Sequence, residues 1–290
     1  MIPGSFTYHR PKSLPEALAL LADLGDDARP LAGGQSLIPL MKFRMATPAN
    51  LIDLSAISDL KGIRVVGSDI VLGAMTTQYE MIGSDLMADK VPLMREAAGL
   101  VADPQVRYMG TVGGNAANGD PGNDMPAIMM ALGAIYTLAS KTGTRQVPAR
   151  DFYKGLYYTA LEPGEMITAI NIPVPAKGHG YAYNKLKRKI GDYATAAAAV
   201  MLTLSGGKVA SCAITLTNVA DHALYAEEAS RLVLGTEIDA SAIKRAAAAA
   251  EDIATPAADN HGPVEYRKKM AGVMVARALA RAKVRAADRG

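Results

Sequence analysis

The chain has 290 residues, half of them apolar and a fifth charged, with a formal net charge of +3. This suits a globular protein with room for two cores, and the small, dispersed charge argues against a nucleic-acid surface. One cysteine, Cys212, excludes a disulfide framework, and the four histidines, His9, His179, His222 and His261, are scattered. They leave no spacing for a metal site or an iron–sulfur cluster ligated by this chain alone, so no metal ligand is expected. Any redox chemistry would need an organic cofactor or a partner's metal centre. The first residues lack the layout of a signal peptide, and no apolar run reaches about 18 residues. A cytoplasmic protein without an integral membrane segment is expected.

Ser13, Pro15 and Glu16 open a run of leucines and alanines that Gly25 closes, which predicts a helix with a capping box over 13–25. Residues 29–33 read as a short strand entering a turn, and 50–55 as another strand. Residues 63–74 place β-branched runs either side of Gly67, Ser68 and Asp69, a hairpin signal. A helix is expected over 91–102, stopped by Asp103 and Pro104. A second is expected over 124–134, with Asp124 as its N-cap. Strands are expected at 135–139 and 166–172, and a long hairpin over 195–220 around Gly206 and Gly207, with an alanine run in its first arm. Helices follow at 223–234, 240–253 and 266–287. The pattern is α+β with antiparallel hairpins, a break near 173–177 and a C-terminal part ending in helices.

Three segments could carry chemistry. In "AGGQS", Ala32 to Ser36, adjacent glycines reach backbone angles closed to other residues, and a helix starting near Leu37 would turn open N–H groups to the same side. The same composition also makes a plain helix-entry turn. "GTVGGNAANGDPGND", from Gly110 to Asp124, interleaves glycines with Thr111, Asn115, Asn118 and Asn123 and runs straight into an apolar helix. It reads either as a flexible loop or as a nucleotide cradle, with N–H groups for a diphosphate and Asp124 for ribose hydroxyls. In "NKLKRKIGDY", Lys185, Lys187, Arg188 and Lys189 form the dense basic cluster, either a solvated strand end or a cation beside an anionic or electron-rich ring. Neither G-x-G-x-x-G nor the P-loop pattern is present, and no nucleophile motif stands out, so no catalytic acid, base or nucleophile is assigned.

Taken together, these segments resemble the FAD-binding medium subunit of the molybdenum hydroxylases, the flavoproteins of the carbon monoxide dehydrogenase and xanthine dehydrogenase type. The family's A-G-G-x-S and T-[IV]-G-G-[DN] segments, which embrace the FAD diphosphate, match "AGGQS" and "TVGGN". "LGAMTT" lies between them, and "DNHGPVEYRKKMAGVMVARAL" looks like the family's terminal domain. The resemblance spans essentially the whole chain. It implies a two-subdomain FAD-binding domain of the PCMH or vanillyl-alcohol-oxidase type over 1–175, divided at about residue 55. A smaller α+β domain of antiparallel sheet and helices would follow over 176–290.

Residue by residue, it implies FAD contacts from Ala32, Gly33, Gly34, Gln35, Ser36 and Leu37, and from Thr111, Gly113, Gly114, Asn115 and Asp124. Asn118, Asp120 and Asn123 lie in the matching loop, and Lys185, Asp192 and Tyr193 match the segment near the isoalloxazine. A side chain at Gly114 would be expected to crowd the diphosphate. Two departures matter: position 35 is Gln where many relatives have His, and position 115 is Asn where some have Asp. The first removes a side chain that could tether the flavin, so non-covalent FAD is expected.

The resemblance further implies an electron-transfer subunit of a heteromeric oxidoreductase. A molybdenum–pterin centre would sit in a large partner and [2Fe–2S] clusters in a small one, assembled as a dimer of heterotrimers. The alternatives are a stand-alone flavin oxidoreductase of the same fold superfamily, or a non-catalytic scaffold whose glycine loops are only turns.

Overall fold

The computed structural model describes residues 2–101 and 103–289. The chain begins with β1 (Thr7–His9), α1 (Leu14–Leu24), β2 (Ala28–Leu31), α2 (Leu37–Lys42) and β3 (Asn50–Asp53). The three strands pair in parallel in the order β1-β3-β2. Helix α1 starts where the sequence indicates: the Ser13 hydroxyl accepts from the Glu16 N–H. The Glu16 carboxylate, however, accepts from Lys12 rather than Ser13, so the capping box does not close on itself. Ala17, Leu18 and Leu21 of α1 bury against Ala28, Ile52 and Leu54 to form a small core.

The second part begins with β4 (Ile63–Val66) and β5 (Asp69–Gly73) and continues through α3 (Gln78–Gly83), α4 (Asp85–Lys90), α5 (Pro92–Ala98), α6 (Pro104–Met109), α7 (Val112–Ala117) and α8 (Asp124–Ala131). It ends with β6 (Ile135–Ser140), β7 (Gly143–Pro148), α9 (Ala149–Phe152), β8 (Tyr153–Gly155), β9 (Tyr158–Thr159) and β10 (Met166–Pro173). An antiparallel sheet of order β4-β5-β10-β6-β7 packs against the helices, with Ile70, Leu72, Ile128, Ile170 and Met94 in one shared core.

Three expectations change here. The helix expected over 91–102 is shorter: α5 ends at Ala98, and the expected last residue, Ala102, lies outside the described residues. Asp103 does more than stop a helix, because its carboxylate accepts from the Val106 N–H and so starts α6. Asp124 is the first residue of α8 rather than its cap, since Asn123 holds the cap position and the Asp124 side chain is engaged elsewhere.

The last part holds β11 (Gly180–Leu186), β12 (Ala196–Ser205), β13 (Lys208–Thr217) and β14 (Leu224–Tyr225), antiparallel in chain order. Three helices follow, α10 (Glu227–Leu232), α11 (Ala240–Ile253) and α12 (Val264–Arg289). The helix expected over 223–234 is cut short because residues 224 and 225 pair with β13 instead. The alanine run is a strand buried on both faces, and its period of two sorts the side chains. Ala196, Ala198 and Val200 meet Ala278 and Ala282 of α12, while Ala197, Ala199 and Met201 belong to the core built around α8. Small side chains let the layers close up: a Cβ on Gly180 would stand 2.0 Å from the Ala282 carbonyl oxygen.

Candidate functional site

A cleft of about 720 Å³ lies between the parallel sheet unit and the helices of the second part, a size that suits a cofactor. Its walls are the turn after β2, the segment from Ala74 to Gln78, the loop and helix around α7, and a wall from Leu161 to Ile167 with Tyr157 beside it.

The turn after β2 has the most open chemistry. Gly34 takes a left-handed φ of +71°, which a side chain would strain. Among the described residues, the N–H groups of Gly33, Gly34, Gln35 and Ser36 meet no acceptor. A run of open amides on a turn is an anion nest. Gly33 serves a different need: a Cβ there would stand 2.1 Å from the Met109 carbonyl oxygen, so the turn lies backbone to backbone on the entrance to α7.

The second glycine segment is not a matching cradle. Its expected N–H groups are already taken: Val112 donates to the Thr76 carbonyl at 2.9 Å, Gly113 to that of Ala74 at 2.9 Å, and Gly114 to the Thr111 hydroxyl at 3.1 Å. Thr111 is thereby the N-cap of α7. A Cβ on Gly114 would meet that hydroxyl at 2.8 Å and Ala32 at 3.4 Å, so the crowding expected there falls on the protein's own turn. What the segment offers the cleft is the Asn115 Oδ1, buried and without a hydrogen-bond partner.

The cleft gathers Ala32, Gly33, Gly34, Gln35, Ser36, Leu37, Thr111, Gly113, Gly114, Asn115 and Asn118 from the expected set. Asp120, Asn123, Asp124, Lys185, Asp192 and Tyr193 do not line it. Two of these connect to its rim. Asn123 donates from Nδ2 to the Asn115 carbonyl at 3.0 Å, and Asp120 accepts from Tyr157 at 3.2 Å and from Tyr193 at 3.0 Å. Burial, reinforced by the Asp120 carboxylate, holds the Tyr193 hydroxyl above its ordinary range. Both tyrosines therefore stay neutral donors at working pH.

Asp124 and Lys185 instead face each other at 2.8 Å with almost no exposure, and the Tyr183 hydroxyl donates to Asp124 at 2.5 Å. Asp192 pairs with Arg188 at 3.4 Å. Burial pushes the Cys212 thiol up to about 12, which leaves it protonated. Among the described residues no group of three His, Cys, Asp or Glu could hold a metal ion.

Sequence reasoning missed the Gln78 and Tyr157 side chains and the wall from Leu161. Gln78 directly follows the quoted "LGAMTT", whereas Tyr157 had no local signal beyond its type. The wall is pinned from behind. Arg145 donates from Nε and Nη2 to the two Glu165 oxygens, both at 2.7 Å, and from Nη2 to the Ala160 carbonyl at 2.6 Å. These hydrogen bonds hold the Glu165 carboxyl below its ordinary range. Because the folded value is lowered, the stabilisation is present above the ordinary value of 4.5 and is lost as pH falls through the folded one. Arg145→Met is expected to cost about 1–2 kcal/mol near pH 7 in urea unfolding. The difference from wild type should shrink as the pH is lowered into the acid range.

The architecture is that of an α+β protein with a cleft of cofactor size, one wall of which carries the run of open amides. Residues 4–175 match the family described as "FAD binding domain in molybdopterin dehydrogenase", and residues 181–282 match the "CO dehydrogenase flavoprotein C-terminal domain". The carbon monoxide dehydrogenase medium chain of Afipia carboxidovorans is 65% identical over 286 residues, covering 99% of each chain. That of Hydrogenophaga pseudoflava is 50% identical over 279 residues, covering 96% of this chain and 97% of the other. Reconstituted CO dehydrogenase from Oligotropha carboxidovorans contains a chain that superposes with a TM-score of 0.97 at 65% identity, covering 98% of this chain and 100% of that one. The chain belongs to the FAD-binding medium-subunit family of the molybdenum hydroxylases. Within it, the chain is a medium FAD subunit of the CO dehydrogenase type, an oxidoreductase flavoprotein with a PCMH-type FAD-binding domain.

Proposed function

We propose that this chain holds FAD non-covalently in the cleft and serves as the last electron station of a heterotrimeric complex. The observation that carries the reading is the run of open amides from Gly33 to Ser36, on a turn that lines the same cleft as the orphaned Asn115 oxygen. Together they fit the group: the nest would take the diphosphate, and Asn115 would accept from a ligand hydroxyl or amine. Gln35, whose amide donates to the Gly33 carbonyl at 3.2 Å, offers no imidazole for a covalent tether. When bound, the flavin supplies single-electron uptake from iron–sulfur clusters and paired release to an acceptor. The chain's own residues bind it, orient it and wall it from solvent; none is assigned a substrate proton.

In this reading a small partner holds two [2Fe–2S] clusters and a large partner the molybdenum–pterin centre where substrate is oxidised. The assembly is a dimer of heterotrimers in the cytoplasm. The single cysteine supports that division, since this chain cannot ligate a cluster itself. The likeness to CO dehydrogenase medium chains supports a complex acting on carbon monoxide. We take residues 1–175 as the FAD-binding domain, with subdomains meeting near residue 55, and 176–290 as the second domain.

The test is to purify the complex and record its visible spectrum before and after adding carbon monoxide. One FAD per copy of this chain, bleached on addition, with a cysteine-rich small chain and a molybdenum-containing large chain co-purifying, is expected. A chain that purifies without partners and shows no flavin bands after FAD titration overturns the reading.

A further inference from the structure

Gln78 opens α3 with its side chain buried, 1% exposed, and neither Nε2 nor Oε1 has a hydrogen-bond partner. It lines the same cleft as the anion nest and Asn115. The fold does not use this amide. The backbone N–H of Gln78 already donates to the Gly110 carbonyl at 2.9 Å. The start of α3 is secured one residue earlier, by a closed capping box between Thr77 and Glu80. A buried donor and a buried acceptor on one side chain, both unmatched, are costly in a folded protein and call for a partner. Asn115 adds a second unmatched acceptor on the same cleft.

We propose that Gln78 is a binding contact for the dinucleotide. Its Nε2 donates and its Oε1 accepts at a ligand edge that presents an acceptor beside a donor. This rests on the cleft being the FAD site. FAD carries two such edges, one on adenine and one on the pyrimidine side of the isoalloxazine, and a primary amide matches either in the paired fashion glutamine uses on adenine.

The test uses Gln78→Met, similar in length and volume but without polar atoms, in the purified complex stripped of flavin. FAD affinity is read by fluorescence titration, and the thermal midpoint is read on the flavin-free protein. Losing two neutral hydrogen bonds should weaken FAD binding by about tenfold or more. The flavin-free midpoint should be unchanged or raised, because the unmatched atoms are gone.

Parallel titrations with ADP and with riboflavin locate the contact. A loss carried by ADP assigns it to the adenine, and a loss carried by riboflavin to the flavin ring. Unchanged FAD affinity, as would follow if water alone satisfied the amide, overturns the proposal. So does a lowered flavin-free midpoint, which would mean that the amide serves the fold. Failure of the wild-type complex to bind FAD is a different result and removes the flavin reading itself.

Discussion

Gly33→Val is expected to give protein that retains little or no flavin and unfolds at a markedly lower temperature. At Gly33 the turn after β2 touches the backbone of Met109 and Gly110, and a built Cβ lies 2.1 Å from one carbonyl oxygen and 2.9 Å from the next Cα. Neither neighbour is the end of a flexible side chain, so the clash can be relieved only by moving the turn. Overpacking against backbone costs about 3 kcal/mol. It also displaces the amides of Gly34, Gln35 and Ser36, the donors left open to the cleft. Flavin-to-protein ratio and thermal midpoint measured on the same preparation check both halves. A variant with full flavin content and an unchanged midpoint would show that the two walls of the cleft do not meet at this glycine.

Lys185→Met should have the second large effect, for a different reason. The ammonium lies 2.8 Å from Asp124, with the two side chains 2% and 5% exposed. Removing it leaves a buried carboxylate with the Tyr183 hydroxyl and no countercharge. Breaking such a pair from one side costs about 3–5 kcal/mol, whereas replacing both partners by apolar groups of similar volume is often close to neutral. Urea unfolding of Lys185→Met, Asp124→Leu and the double variant checks this. The double variant should recover most of the loss. Equal or greater loss in the double variant would mean that Asp124 and Lys185 work through other partners.

These two residues also show where the sequence is legible. The position of Gly33 was readable, because adjacent glycines between a strand and a helix point to a turn with unusual angles. What was not readable is that one glycine is needed against the protein itself and its neighbour for a left-handed turn. The same limit applies to "TVGGN". Its composition suggested a second set of free amides, but the carbonyls of Ala74 and Thr76, far off in sequence, occupy them. Local pattern makes Asp124 a cap, whereas tertiary pairing with Lys185, 61 positions away, takes its side chain.

The long-period elements, α1, α11, α12 and the β12–β13 hairpin, were plain because their patterns persist over many residues. The short helices α3, α4, α6 and α7 left too little periodicity to read. Gln78 was silent for a related reason: an amide in a first helical turn is ordinary, and only its burial makes it unusual.

The two-sided burial of β12 has a consequence for how such a chain can change over time. Its odd-numbered residues from Ala197 to Met201 complete the core around α8, while the even-numbered ones complete the core beneath α12. A substitution that enlarges Ala197 or Ala199 presses on the core around α8, in the other half of the chain. The halves are consequently not interchangeable parts. A chimera that borrows its C-terminal sheet from a distant relative has to borrow the matching surface of α8 as well.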